Sequence, residues 1–178
     1  MKNEAEFCTV IKNSLVVGYK QPDPSGQYMN TSIRSCDGFG MIQNGSDLNF
    51  VCWEAKFLKK PGAFSFKRIE PHQNYYLTEW KKAKAVRCFV IVGVDYGRAD
   101  KRSFVFEWDN DFSDLYKIGF SIHLKELNNL PYNKVSKGTF SFDNIITYSM
   151  LKDLYPDFEK VCNDFRAKME KLNGESDI

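Results

Sequence analysis

The period of the apolar positions changes along the chain, and each change predicts an element. Between Glu4 and Val17, the residues Phe7, Val10, Ile11, Ser14 and Leu15 recur at helical spacing, which predicts an amphipathic helix ended by Gly18. Gln21-Pro22-Asp23-Pro24-Ser25-Gly26 cannot sustain regular structure and reads as an exposed loop. Thr31 to Ile42 reads as a strand interrupted by glycines, and Asn44-Gly45-Ser46-Asp47 is a strong turn signal. Leu48 to Phe57 is then a mostly apolar strand, so the two strands form a hairpin.

A basic loop, Lys59 to Arg68, follows the hairpin. A helix is expected from Pro71 to Ala83, with Pro71 in its first turn. Val86 to Val94 is a near-continuous apolar run, as in a strand covered on both faces. Arg102 to Trp108 alternates like a further strand, whereas Tyr116 to Ile122 has no clear period. Tyr148 to Leu172, with Pro156 inside it, predicts one kinked helix or two in sequence. Its apolar stripe of Tyr155, Phe158, Val161 and Phe165 fits packing on a core or between two copies of the chain. The order helix, hairpin, helix, strand, strand predicts an α/β fold around a small mixed sheet flanked by helices. Residues 1–146 are expected to form its main domain, and 147–178 a C-terminal helical segment packed on it or at a dimer interface.

Composition narrows the class. With 178 residues, 43% hydrophobic, and 15 Phe, 9 Tyr and 3 Trp, the chain can bury a real core and is not of the disordered type. No apolar run approaches the roughly 20 residues of a membrane-spanning helix. Met1 to Glu6 is polar, with no apolar signal core behind it, so a soluble cytoplasmic protein is expected. The five cysteines, at 8, 36, 52, 88 and 162, form no C-x-x-C pair, which argues against a zinc site or a disulfide framework. A net charge of +2 excludes a strongly basic wrapping protein but leaves room for a nucleic-acid enzyme.

The chemistry lies in Asp37, in Glu54-Ala55-Lys56 on the next strand, and in Gln73 early in the following helix. Residues i and i+2 of a strand share a face, so Glu54 and Lys56 project together while Ala55 turns the other way. The hairpin turn folds Asp37 back beside Glu54, close enough for two carboxylates to share a cation. Such a pair suits Mg²⁺, or Mn²⁺, which takes oxygen ligands and keeps waters that can attack phosphorus. Lys56 then orients that water or neutralises charge growing on the phosphoryl oxygens. E-x-K alone is weak, since any solvent-facing strand can carry an i, i+2 ion pair. The apolar run Phe50-Val51-Cys52-Trp53 before it argues for burial, and buried charges need partners.

Asp37, the Glu54-Ala55-Lys56 strand, a basic loop and Ile69-Glu70-Pro71-His72-Gln73 occur in order, and this arrangement resembles the PD-(D/E)XK nuclease superfamily. Within it the likeness is nearest to RecU-type Holliday-junction resolvases, and it covers Thr31 to Val94. The resemblance implies a restriction-endonuclease-like fold and a metal-dependent DNA endonuclease, in its narrower form a homodimeric junction resolvase. It implies that Asp37 and Glu54 hold the metal, that Lys56 acts on the nucleophile, and that Gln73 supports the site. An acid of the first helix completes the pocket, with Glu6 the better match and Glu4 the second. Thr31, Ser32 and Arg34 match the basic and hydroxyl residues that precede the Asp in that family. The pattern departs at Cys36, where proline is usual, in lacking an evident stalk segment, and in everything after Trp108.

Lys59, Lys60, Lys67 and Arg68 follow the site directly and are expected to grip DNA phosphates. Phe64 and Phe66 among them either stack on unpaired bases or pin the loop to the core. His72 reads as a surface or capping residue, because a metal-bound water needs no imidazole, and His123 has no visible partner. Glu107, Asp109, Asp111 and Asp114 read as an acidic turn outside the site. Two alternatives remain: a restriction-like or repair nuclease acting on duplex or flap DNA, and a catalytically silent nucleic-acid-binding module.

Overall fold

The computed structural model of the chain describes residues 1–21, 36–83, 86–97, 99–155 and 158–174. Helix α1 (Glu4–Ser14) begins where the Asn3 side chain accepts the Glu6 N–H, and two acids sit at its positive end. It stops short of the expected Val17 because the chain turns into strand β1 (Val17–Lys20), which contains Gly18. The strand expected from Thr31 is β2 (Gly38–Asn44); residues 31–35 of that expectation lie outside the described residues. A two-residue turn, Gly45-Ser46, with Gly45 at φ 61°, returns the chain into β3 (Asp47–Leu58).

The basic loop is not featureless. It forms a short strand β4 (Phe64–Ser65) and a 3₁₀ turn at Phe66–Arg68 before α2 (Pro71–Lys82). Then come β5 (Val86–Asp95), β6 (Lys101–Glu107), α3 (Asn110–Ile118) and β7 (Ser121–Ile122). They are followed by α4 (Leu124–Leu127), β8 (Asn133–Lys134) and β9 (Ile145–Ile146). The C-terminal stretch is two helices, α5 (Tyr148–Leu154) and α6 (Phe158–Gly174).

Seven strands form the main sheet, in the order β1-β2-β3-β5-β6-β8 with β9 also on β6. β3 and β5 run parallel, as do β6 and β9, and the other neighbours are antiparallel. The fold is thus α/β, a mixed sheet flanked by helices and followed by a C-terminal helix. α2 is the crossover that two parallel neighbours require. β5, in the middle, is buried on both faces, which explains its unbroken apolar run.

Each face of the sheet has its own core. Phe7 and Ile11 of α1, with Leu15 just after it, pack on Val51, Trp53, Ala55, Phe89 and Ile91. On the other face Leu77, Phe112, Leu115, Leu151, Phe158 and Cys162 from four helices cover Cys52, Val90, Val92 and Phe106. α5 and α6 therefore share a core with the strands before them. Phe158 of the expected stripe faces that core together with Cys162, whereas Val161 is 48% exposed. Phe64 and Phe66 are fully buried and pack on each other and on Phe106, so they pin the loop and offer no surface to bases. Truncating either to Ala would cost about 3–5 kcal/mol.

The acidic run after β6 is a helix start and a clamp rather than a turn. Asp109 accepts the Phe112 N–H at the N-terminus of α3, and Asp111 and Asp114 both bind Arg166 of α6. No helix among the described residues is long and apolar enough to cross a membrane.

Candidate active site

β3 has twelve residues and β2 only seven, so β3 runs past its partner. Pairing ends at Gly38 opposite Trp53, and one further step of that register puts Asp37 opposite Glu54. Beyond this point the edge of β3 that faced β2 has no strand partner among the described residues, and its backbone groups need others. Side chains provide them. Asp37 Oδ2 accepts the Ala55 N–H at 2.9 Å, Glu4 Oε2 accepts the Phe57 N–H at 3.2 Å, and Arg68 donates to the Phe57 carbonyl at 3.1 Å. Gly38 lets the chain come this close: a Cβ there would lie 2.3 Å from the Trp53 ring.

Glu54 and Lys56 share one face of β3 and are both buried, with Glu54 only 1% exposed. Lys56 Nζ donates to Glu54 Oε1 at 2.9 Å and to Gln73 Oε1 at 3.1 Å. Gln73 is held in turn, because its Oε1 also accepts the Glu70 N–H at 2.8 Å, as in a capping box at the start of α2. The other Glu54 oxygen, Oε2, is buried and has no hydrogen-bond partner among the described residues. Burial pushes the Glu54 carboxyl up to about 8; the neighbouring Asp37 adds to the rise, and Lys56 partly offsets it. Near neutrality, then, this carboxyl keeps its proton unless more positive charge arrives.

A buried carboxylate oxygen without a partner, opposite a second carboxyl, is the donor set that a hard divalent cation completes. Mg²⁺ commonly takes one or two protein carboxylates and fills its remaining positions with water and substrate oxygens, so these residues fit it. Among the described residues no group of three or more His, Cys, Asp or Glu side chains comes together as a metal site, so Asp37 and Glu54 would act as a pair.

The other expected residues divide. Gln73 is at the site through Lys56. Glu6 is not: its carboxylate accepts the Lys2 N–H at 2.8 Å and lies 3.9 Å from the Met1 amine. Glu4 reaches β3 instead, because residues two apart on a helix point about 200° apart. Arg34, Thr31 and Ser32 lie outside the described residues. Lys59 and Lys60 are exposed just past the end of β3, and Lys67 is exposed with its stem over Gly119. Arg68 is exposed and reaches back to Phe57. His72 stands 3.4 Å from Glu70.

Sequence reasoning missed Lys20. It pairs with Gly38, next to Asp37, and its charge is felt at the buried Cys8 thiol, which burial and then Asp37 push up to about 12 while Lys20 pulls it back. Only knowledge of β1, which starts at the last residue of the expected helix, would have found it. No protein-family model matches the chain, and no curated protein matches it.

Proposed function

We propose that the chain is a metal-dependent DNA nuclease that hydrolyses phosphodiester bonds at Asp37, Glu54 and Lys56. The observation that carries this reading is Glu54, buried and half-partnered, with Asp37 opposite and Lys56 bound to it. Leaving a buried carboxyl oxygen unsatisfied costs about 1–3 kcal/mol, which a cation at Oε2 would offset.

Asp37 and Glu54 would hold Mg²⁺ or Mn²⁺, which when bound supplies an activated water and a positive centre for the phosphoryl oxygens. Lys56, fixed between Glu54 and Gln73, keeps its ammonium at the rim of that centre, where it orients the attacking water or meets charge on the phosphate. Gln73 keeps Lys56 there by geometry alone. The exposed Lys59 and Lys60 carry the strand's phosphates toward the pair. The preference for DNA, and the finer form of the proposal, a homodimer cutting four-way junctions, rest on the resemblance to RecU-type enzymes.

The test is cleavage of labelled duplex, flap and four-way-junction DNA by the wild-type chain and by Glu54→Gln, each with Mg²⁺ and with EDTA. Cutting that needs both Mg²⁺ and Glu54 supports the proposal. DNA binding with no cutting under any condition would favour the silent binding module instead.

A further inference from the structure

The first turn of α1 sends its two acids to different places. Glu4 reaches β3 beside the carboxylate pair, whereas Glu6 lines a separate cavity of about 460 Å³. Lys101, Lys134 and Lys137 line it too, with Val10 and Val135 as its apolar wall. The cavity and the acid pair lie toward the same end of the sheet but on its two faces, Val10 and Val135 on the α1 side with Ala55, and Glu54 and Lys56 on the side of Gln73. Lys56 pairs with Val92 and Leu58 with Val94 on β5, and Asp95 at the end of β5 pairs with Lys101.

The charge on this cavity is unbalanced. None of its three lysines is in a salt bridge among the described residues. The nearby Asp100 is bound by Arg102 through both oxygens, and Glu6 is engaged with Lys2 and the Met1 amine. Three ammonium groups around one space repel each other, and an anion entering it turns that repulsion into attraction. The backbone is unusual at the same place. Lys137 (φ 50°) and Ala99 (φ 66°) are the two non-glycine residues with left-handed backbone among those described, and both line the cavity. Lys137 and Gly138 form the tight turn between Ser136 and Thr139, a position that favours Asn-Gly or Gly-Gly. A lysine there gives up local ease for a side chain at the rim.

The geometry points to a nucleotide-phosphate subsite: the lysines hold a backbone phosphate of a DNA strand that rounds this end of the sheet from the Asp37–Glu54 pair, over a floor formed by the largely buried Val10 and Val135. The volume suits a nucleotide better than a lone phosphate. That the strand is DNA under attack rests on the nuclease reading; the capture of a phosphate does not.

The test uses the full chain in EDTA, with a labelled oligonucleotide titrated at several salt concentrations into wild type and Lys101→Gln/Lys134→Gln/Lys137→Gln. We expect the triple variant to lose at least about tenfold in affinity at low salt, and the slope of log Kd against log salt to drop by about one per lost phosphate contact. Lys137→Gly, which suits the turn, should melt no lower than wild type and still bind more weakly. The oligonucleotide should also shift the backbone amides of Ser136, Lys137 and Gly138 in NMR spectra. Wild-type affinity and slope in the triple variant would overturn the inference, as would amide shifts seen with inorganic pyrophosphate but not with the oligonucleotide. Should wild type fail to cut DNA in Mg²⁺ while the slope still falls in the triple variant, the subsite stands and the nuclease reading falls.

Discussion

The Gln73 side-chain oxygen accepts two hydrogen bonds at once, from the Lys56 ammonium at 3.1 Å and from the Glu70 N–H at 2.8 Å. One residue therefore both starts α2 and positions the buried lysine. Gln73→Ala should cost roughly 1 kcal/mol through the lost cap. It should also lower the cleavage rate by about tenfold or more, with DNA affinity nearly unchanged. Gln73→Glu keeps an acceptor for Lys56 and should recover most of the rate. Single-turnover kinetics beside thermal melts separate the two effects, and a rate loss that merely tracks melting temperature would speak against positioning.

Lys56→Ala removes the ammonium that Glu54 holds. If Lys56 meets charge that develops in the transition state, the rate should fall by roughly 10²–10³ while Kd for DNA moves less than about threefold. Binding and single-turnover cleavage measured on one preparation decide this. An unchanged rate would remove Lys56 from the site.

Removing the metal should abolish cutting, because two carboxylates alone generate no attacking water. EDTA should stop the reaction and added Mg²⁺ or Mn²⁺ should restore it. Glu54→Gln and Asp37→Asn should lose metal affinity as read by calorimetry. Full activity after exhaustive chelation would rule out this chemistry.

The Glu54 carboxyl also makes stability depend on pH. Its folded-state value, about 8, lies above the ordinary 4.5, so the folded chain keeps a proton that the unfolded chain releases as pH rises past 4.5. Without metal, stability should therefore fall between about pH 4.5 and 8 and level off above. The size should be at most about 5 kcal/mol, since one pKa unit is worth about 1.4 kcal/mol. Glu54→Gln, which mimics the protonated group, should flatten that part of the curve and be the more stable protein at about pH 8. Mg²⁺ should offset the loss in wild type alone. Urea titrations at about pH 5 and about pH 8.5 with EDTA, repeated with Mg²⁺, check all three.

Much of the fold was legible because its signals were strong and local. The turn at Gly45, the unbroken run of β5 and the start of α2 at Pro71 each stand where the sequence puts them. Asp37, Glu54, Lys56 and Gln73 come together because a hairpin and a crossover helix fix their register. The resemblance favours Glu6, but Glu4 shares the helix face of Phe7 and Ile11, three and seven residues on, and the packing of that face under the sheet brings Glu4 to β3. β1 is not legible beyond the expected helix, which runs to Val17 and is ended by Gly18, because four residues give too short a period to read. The two phenylalanines of the basic loop had equal claims to the surface and the core, and only the position of Phe106 decides between them.

The overhang of β3 past β2 has a consequence for the protein's life in solution. Among the described residues Asp37 and Glu4, in place of a strand, bond the backbone along the last part of β3, so they act as gatekeepers of that sheet edge. Asp37→Ala would bare that template as well as disarm the site, inviting strand exchange between molecules. Asp37→Asn keeps a side-chain oxygen for the Ala55 N–H and leaves the gate partly shut. Aggregation rates of the two variants at equal loss of activity would show how far the site's chemistry and the chain's solubility rest on the same carboxylate.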